Sequence, residues 1–137
     1  MLAVDPGTRR VGLAISDAEQ RIAQPLPPVP APPLPTLAAR LTEVARSRSA
    51  TRLVVGLPRR LDGTSGPEAV RARELAAELR AASGLPVELV DERLTTAQAE
   101  RGLRELRVSR ERRRQVVDGA AAALILQAYL EAAGRGR

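Results

Sequence analysis

The stretch MLAVDPGTRRVGLAISD, residues 1–17, predicts two short strands joined by a tight turn. Residues 2–4 and 11–15 are apolar, and Pro6-Gly7 between them is a turn signal. Asp5 stands at the end of the first strand, where an unpaired buried carboxylate would be costly. We therefore expect Asp5 either to cap the turn through an Asx-type hydrogen bond or to meet an arginine or a metal ion.

Composition narrows the chemistry that the chain can perform. Its 137 residues predict one domain, residues 1–137, and all 22 basic residues are arginine, with a net charge of +6 that favours a polyanionic partner. The chain has no Cys, His or Lys, which excludes thiolate catalysis, zinc–sulfur sites and Ser–His pairs. Carboxylates remain as the reactive groups, and in a basic protein they suggest Mg²⁺ or Mn²⁺. Tyr129 is the one aromatic residue, so base-stacking platforms are not expected.

Apolar periodicity and turn signals predict an α/β protein with a mixed sheet and helices on its faces. No run of 18 apolar residues and no signal region occur, so we expect a cytoplasmic protein that does not cross a membrane. After the opening hairpin we predict a short strand at 21–24, a Pro-rich surface connector at 25–35 and a helix at 36–48 capped by Thr36. A strand at 53–55, a loop at 56–65, a helix from a Ser65 capping box to about 82 and a strand at 87–90 follow. The chain ends with a helix at 95–106, a last helix from Ser109 to about 133, and a tail at 134–137.

Three acids occupy conspicuous positions. Asp5 and Glu92 stand at the carboxyl ends of predicted strands, where ligands bind in doubly wound sheets, and Asp118 lies in the most apolar helical stretch. If their strands are neighbours, their mutual repulsion would be relieved by a divalent cation, and two cations about 4 Å apart could hydrolyse a phosphodiester. Strand alternation does not decide between Glu92 and the adjacent Asp91, because both faces of that strand are apolar. Salt bridges to Arg9 or Arg93 are the structural alternative.

Four motifs in this order resemble the YqgF family, over residues 1 to about 130. They are Asp5-Pro6-Gly7-Thr8-Arg9-Arg10-Val11-Gly12, then Val55-Gly56-Leu57-Pro58 with Asp62-Gly63-Thr64-Ser65-Gly66, then Asp91-Glu92-Arg93-Leu94-Thr95-Thr96, then Val117-Asp118 with Ala120-Ala121. The resemblance implies an RNase H-like fold with a five-stranded mixed sheet. It also implies a metal-dependent nuclease that matures the 5′ end of pre-16S rRNA, or alternatively a Holliday-junction resolvase. By position, Asp5, Glu92 and Asp118 match the acidic triad of that family. Two departures are Gly119, where relatives usually carry Lys, and the high Pro content of residues 25–35.

Arginines near these acids are the candidate substrate-binding residues. Residues 101–114 contain seven Arg against two Glu, which predicts a phosphate-tracking surface, although a solvated helix face would have the same pattern. The turn after Asp5 could hold the scissile phosphate. The candidates are Thr8, Arg9, Arg10, Arg93, Arg104, Arg107, Arg112 and Arg113.

Other classes of protein remain open at this stage. A nucleic-acid-binding module without catalysis would share the basic charge, and a metal titration separates it from a nuclease. The pattern Asp5-x-Gly7-Thr8-x-x-x-Gly12 also resembles the first phosphate loop of the actin, Hsp70 and sugar-kinase superfamily. Those proteins need two such domains, for which this chain is too short. A monomer or a weak homodimer is expected, and sequence does not separate an RNA from a DNA-junction substrate.

Overall fold

The computed structural model describes residues 1–7, 9–31, 33–58, 66–91 and 110–135, with side chains from 120 to 132 in the last range. Five strands and three helices lie in these ranges. They are β1 (Leu2–Asp5), β2 (Arg10–Ser16), β3 (Ala23–Pro30), α1 (Leu34–Ser47), β4 (Leu53–Leu57), α2 (Pro67–Ser83), β5 (Val87–Asp91) and α3 (Arg110–Arg135). None of the described helices is long and apolar enough to cross a membrane.

The five strands form one mixed sheet in the order β3-β2-β1-β4-β5. β1 pairs antiparallel with β2, and β2 pairs antiparallel with β3. β4 lies parallel to β1 on the other side, and β5 lies parallel to β4. Parallel neighbours need a crossover connection, which α2 supplies between β4 and β5, while α1 follows the edge strand β3 and leads to β4. The predicted α/β class with a five-stranded mixed sheet is confirmed.

The two faces of the sheet carry side chains of different size. Alternate residues of a strand point to opposite faces, so the strands separate into two sets. The α1/α2 face carries large buried side chains, which are Leu2, Val4, Val11, Leu13, Leu53, Val55, Leu57 and Val87. The α3 face is built from smaller ones, with Ala3, Ala14 and Val54 packed against Ala122, Ile125, Leu126 and Leu130. The sheet is therefore the middle layer of three, with β1 at its centre.

The Pro-rich segment is mostly a strand, which corrects two predictions made from sequence. Strand β3 spans Ala23–Pro30 and pairs with β2, whereas we expected a strand at 21–24 and a connector at 25–35. Proline is tolerated here because β3 is at the edge of the sheet, where half of its N–H groups need no partner. The register slips between Val11 and Leu13, so that the extra residues of β3 include Pro27 and Pro28. Such a bulge also accommodates the missing N–H groups.

Two helices carry a proline in their first turn, and neither has the polar side-chain cap that was predicted. Helix α1 starts at Leu34 after Pro33, and Thr36 lies inside it. Helix α2 starts at Pro67, with Gly66 in the cap position and no side-chain cap hydrogen bond, while Ser65 lies outside the described residues. Proline suits the first turn of a helix because its fixed φ is helical and its missing N–H would have no partner there.

The C-termini of the described helices lie close to the ends predicted from sequence. Helix α2 ends at Ser83, as predicted, because Gly84 adopts the left-handed conformation (φ 69°) and its N–H bonds the carbonyl of Arg80. Helix α3 runs to Arg135, so it continues beyond the predicted end at 133 and takes in part of the predicted tail. The helix predicted at 95–106 lies outside the described residues.

Candidate functional site

The turn between β1 and β2 is tight, and it depends on a glycine. A Cβ atom added to Gly7 would lie 2.2 Å from the carbonyl oxygen of Arg10, so no other residue fits without a backbone shift. The turn is closed on its outer side by Ala31, whose N–H bonds the carbonyl of Arg9 at 3.1 Å. It therefore brings Asp5, Arg9 and Arg10 to the end of the sheet where β1 finishes, which is the Asp5 edge. Both arginines are exposed there.

Asp5 presents its carboxylate on the α3 face. It is two residues beyond Ala3, which packs against α3, and its side chain is partly exposed. Among the described residues, no group forms a hydrogen bond or an ion pair with this carboxylate. Within that part of the chain, neither the Asx-type cap nor a salt bridge to Arg9 is present. The carboxylate oxygens are thus available to a hard cation.

Two glycines flank Asp5 in the sheet. Gly12 pairs directly with Asp5 across β2. On the other side Val4 pairs with Val55, so the next residue of β4, Gly56, is level with Asp5. Neither neighbour has a side chain to cover the carboxylate on the α3 face. Sequence reasoning quoted both glycines within motifs but missed this role, because only the register of the strands shows that they stand beside Asp5.

The choice between Asp91 and Glu92 is narrowed by the phase of β5. Val87 and Leu89 pack with the core of the α1/α2 face, whereas Val90 packs with the core of the α3 face. Asp91 is in phase with Leu89, so it belongs to the face opposite Asp5. Asp91 has an interaction partner of its own. Glu92 itself lies outside the described residues.

Helix α3 carries Asp118 and is fixed to the sheet at its far end. The Gln127 Nε2 group donates to the carbonyl of Arg21 (2.9 Å), and its Oε1 accepts the N–H of Ala23 (3.0 Å). The Tyr129 hydroxyl lies 3.0 Å from the Arg52 guanidinium, which also pairs with Glu88.

These contacts show the direction of the helix. Ala23 pairs with Ser16, whose N–H bonds the carbonyl of Met1, so Gln127 is level with the start of β1. Ala122 and Ile125, which precede Gln127, are buried on the sheet, whereas Glu131, which follows it, is exposed. The earlier residues of α3 therefore lie toward the Asp5 edge. Asp118 is part of α3, one helical turn before Ala122, and its side chain lies outside the described set.

Half of the predicted substrate-binding residues lie outside the residues that the structure describes. Arg9 and Arg10 lie at the Asp5 edge, and Arg10 has an interaction partner. Arg112 and Arg113 lie in the first turns of α3, without described side chains. The candidates beyond the described ranges are Thr8, Arg93, Arg104 and Arg107. Among the described side chains, no three acidic groups converge in a way that could hold a metal ion.

A cavity of about 330 Å³ opens at the opposite edge of the sheet, where β1 starts. Its lining includes Ser16, Asp17, Arg48 and Thr51. The Asp17 carboxylate there accepts the backbone N–H groups of Ile22 and Arg21, which lower its pKa in that order of size. This cavity is separated from Asp5 by the length of β1, so it takes no part in a site built on Asp5.

Comparison with known proteins gives a family and close relatives. The family model RuvX, described as Holliday junction resolvase, matches residues 1–132. A protein of Pelotomaculum thermopropionicum is 45% identical over 139 residues, covering 100% of this chain and 90% of the relative. A protein of Symbiobacterium thermophilum is 48% identical, covering 94% of this chain and 90% of the relative. Both relatives carry the name "Putative pre-16S rRNA nuclease".

Solved structures resemble the fold at low sequence identity. Thermus thermophilus RuvC in complex with Holliday junction substrate has a TM-score of 0.60 at 19% identity, covering 98% of this chain and 96% of that chain. A second Thermus thermophilus RuvC structure has a TM-score of 0.58 at 16% identity. These likenesses confirm the expected RNase H-like fold, and the family predicted from the four motifs is confirmed by the sequence matches.

Proposed function

Because the chain belongs to the RuvX family, we propose that it is a nuclease that hydrolyses phosphodiester bonds with Mg²⁺ or Mn²⁺ held by Asp5, Glu92 and Asp118. The observation that carries this proposal is the Asp5 carboxylate. It stands at the carboxyl end of the central strand, between Gly12 and Gly56, with no bonding partner among the described residues. A carboxylate in that state is a fitting ligand for a hard divalent cation.

The phase of β5 supports Glu92 as the second carboxylate. Glu88 approaches Tyr129 of α3, and Val90 packs in the α3-face core, so even-numbered residues of β5 belong to the face that carries Asp5. Glu92 is the next residue in that phase if the extended chain continues by one step.

Distances along the two elements support Asp118 as the third. Gln127 is level with Met1, as shown above by its bond to Ala23. From Met1 to Asp5 a strand rises about 13 Å. From Gln127 back to Asp118 a helix rises about 13.5 Å. Asp5 and Asp118 therefore lie at similar distances from the anchored end of α3. Asp118 is also on the same side of the helix as Ala122 and Ile125, which face the sheet.

The proposed roles divide between the acids and the arginines. When bound, the cations would lower the pKa of a water molecule and stabilise the charge on the leaving oxygen. Asp5, Glu92 and Asp118 would hold them in place. Arg9 and Arg10, exposed beside Asp5, would hold the phosphate through charge-assisted hydrogen bonds. Thr8 and Arg93 are proposed as further phosphate contacts because they adjoin Asp5 and Glu92 in the sequence.

For the substrate we propose the 5′ end of pre-16S rRNA in the bacterial cytoplasm, because close relatives bear that name. The family description supports a second candidate, a four-way DNA junction. Symmetric cleavage of a junction requires two active sites related by a two-fold axis, and therefore a dimer. A monomer or weak homodimer suits single cuts in RNA.

The test is cleavage of two matched substrates, a pre-16S rRNA 5′ fragment and a synthetic four-way junction. We expect metal-dependent cleavage of the RNA, because the proposed ligands are carboxylates, and loss of cleavage in excess EDTA with recovery on adding Mg²⁺. Cleavage of the junction alone, by a dimer, would transfer the assignment to the second candidate. Full activity in EDTA would contradict both, and binding of either substrate without cleavage would indicate a non-catalytic module.

A second prediction concerns the basic surface of residues 101–114. Replacing Arg104 and Arg113 by Ala should weaken RNA binding and make it less salt-dependent. With fewer phosphates neutralised, RNA binding releases fewer counterions from the RNA. The slope of log K against log [salt] should become shallower by about 1 to 2. Arg73→Ala, at an exposed position in α2 on the other face of the sheet, is the matched control and should leave the slope unchanged. Equal slopes for all three proteins would mean that the 101–114 arginines are only solvated.

A further inference from the structure

Gln127 makes a two-point attachment between α3 and the backbone of the sheet. Its Oε1 accepts the N–H of Ala23 at 3.0 Å, and its Nε2 donates to the carbonyl of Arg21 at 2.9 Å. Both backbone groups belong to the segment that enters β3. A side-chain amide that satisfies one donor and one acceptor of the same segment is held in position and in orientation.

Tyr129 makes a second attachment on the other side of the helix. Its hydroxyl bonds Arg52, just before β4, and Arg52 pairs with Glu88 of β5. Burial raises the pKa of Tyr129, and the neighbouring Glu88 carboxylate raises it further, so the hydroxyl keeps its proton at neutral pH. The anchored end of α3 is thus tied to β3 on one side and to β4 and β5 on the other.

The described side chains of α3 nearer the Asp5 edge are small, so their packing does little to fix the helix along its axis. Beyond the partly buried Leu124, the described side chains of α3 toward the Asp5 edge are all alanine, residues 120–123. Ala122 and Ala123 pack in the same core as Ala3, Ala14 and Val54, and Gly12 lies on the same face. Small residues on both sides bring a helix close to a sheet but offer few interlocking side chains that would fix its axial position. Among the described side chains of α3, that position is therefore left to the polar attachments and to the larger residues Ile125, Leu126 and Leu130.

We propose that Gln127 is a positioning residue for the acidic site at the other end of α3. By fixing the position of α3 along its own axis relative to the sheet, Gln127 would set the distance between Asp118 and Asp5. Metal ligands tolerate errors of only a few tenths of an ångström, so a small slide of α3 would separate the carboxylates. This inference rests on the proposed function, since it presumes that Asp5 and Asp118 share a cation.

The experiment compares Gln127→Ala with Thr42→Ala in the full chain. Thr42 is a buried residue of α1 whose hydroxyl donates to the carbonyl of Ala38 at 2.7 Å, so its replacement also removes side-chain bonding, but on the opposite face. We expect similar falls in melting temperature for the two variants. Mn²⁺ affinity, measured by calorimetry, should fall about tenfold or more for Gln127→Ala alone, the usual cost of losing a group that orients metal ligands.

A distance measurement reports the helix position without any metal. The chain has no Cys, so spin labels can be attached to cysteines placed at Glu43 in α1 and Glu131 in α3, both exposed. We expect the label-to-label distance distribution to broaden or shift in Gln127→Ala and to stay as in the parent in Thr42→Ala. If Gln127→Ala melts below the assay temperature, Gln127→Glu replaces it, because it keeps the acceptor for Ala23 but sets a negative carboxylate oxygen, in place of the donor, against the carbonyl of Arg21.

The outcomes separate this inference from the function on which it rests. Asp5→Asn is the reference for a lost ligand. If the parent binds Mn²⁺, Asp5→Asn does not, and Gln127→Ala matches Thr42→Ala in affinity and in label distances, the positioning role is overturned while the metal site stands. If the parent binds no Mn²⁺, or Asp5→Asn binds it as tightly as the parent, the proposed function fails and the positioning role fails with it.

Discussion

Asp5→Asn is expected to abolish cleavage while leaving the metal-free protein as stable as the parent, or more stable. The three proposed carboxylates repel one another without a cation, and the amide removes one negative charge while keeping the shape of the side chain. Among the described residues, nothing bonds to Asp5, so its replacement leaves no buried group there without a partner. We expect cleavage to fall by about 10³-fold or more, as when a group at the reacting centre is removed.

The measurement pairs thermal melting in EDTA with the Mg²⁺-dependent cleavage rate. Asp17→Asn is the control, because the same chemical change is made at an exposed acid that accepts backbone N–H groups at the opposite edge of the sheet. It should leave cleavage unchanged. Had a buried arginine compensated Asp5, removing the acid would cost about 3–5 kcal/mol. A large fall in melting temperature with cleavage retained would therefore make Asp5 a structural residue and end the triad hypothesis.

The second large effect on cleavage is expected at Glu92, because the sequence did not decide whether Glu92 or the adjacent Asp91 faces the proposed cation. Glu92→Gln should reduce cleavage by about 10³-fold, as for Asp5, because we propose it as a ligand on the same face. Asp91→Asn should reduce cleavage less than about tenfold, because Asp91 is in phase with Val87 and Leu89 on the α1/α2 face.

Both variants are isosteric amides, so the comparison isolates charge and position. Asp91 has an interaction of its own, and its loss should appear in the melting temperature more than in the rate. Mn²⁺ calorimetry on the same proteins distinguishes a lost ligand from a lost fold. A cleavage defect confined to Asp91→Asn, with Glu92→Gln active, would reverse the assignment and show that β5 does not continue in register to residue 92.

Local signals in the sequence were enough for the class of fold and for the family. Apolar runs separated by Pro-Gly, Ser-Gly and acid-rich turns marked β1, β2, β4 and β5, because short buried strands leave that pattern without help from distant residues. Gly84 marked the end of α2 for a local reason as well, since its left-handed conformation suits glycine. Asp5 was conspicuous because an acid at the end of an apolar strand needs an explanation.

Other features depend on which strands become neighbours, and no local pattern carries that information. Residues 25–30 became a strand because an edge position beside β2 tolerates proline and a bulge, although the composition predicted a connector. Helices α1 and α2 likewise start with a proline in the first turn and without a side-chain cap, where hydroxyl caps were expected. Local propensity is a weak guide wherever tertiary pairing supplies the stabilising contacts.

The sequence by itself determined the α/β class, the family and the acidic residues worth testing. Only the tertiary structure decided that Gly12 and Gly56 flank Asp5, that Asp91 belongs to the opposite face, and that Gln127 ties α3 to the start of β3. The physical reason is that side-chain phase and strand register are set jointly by residues far apart in the chain. A motif names its residues, whereas the pairing of β1, β2 and β4 decides what stands beside each of them.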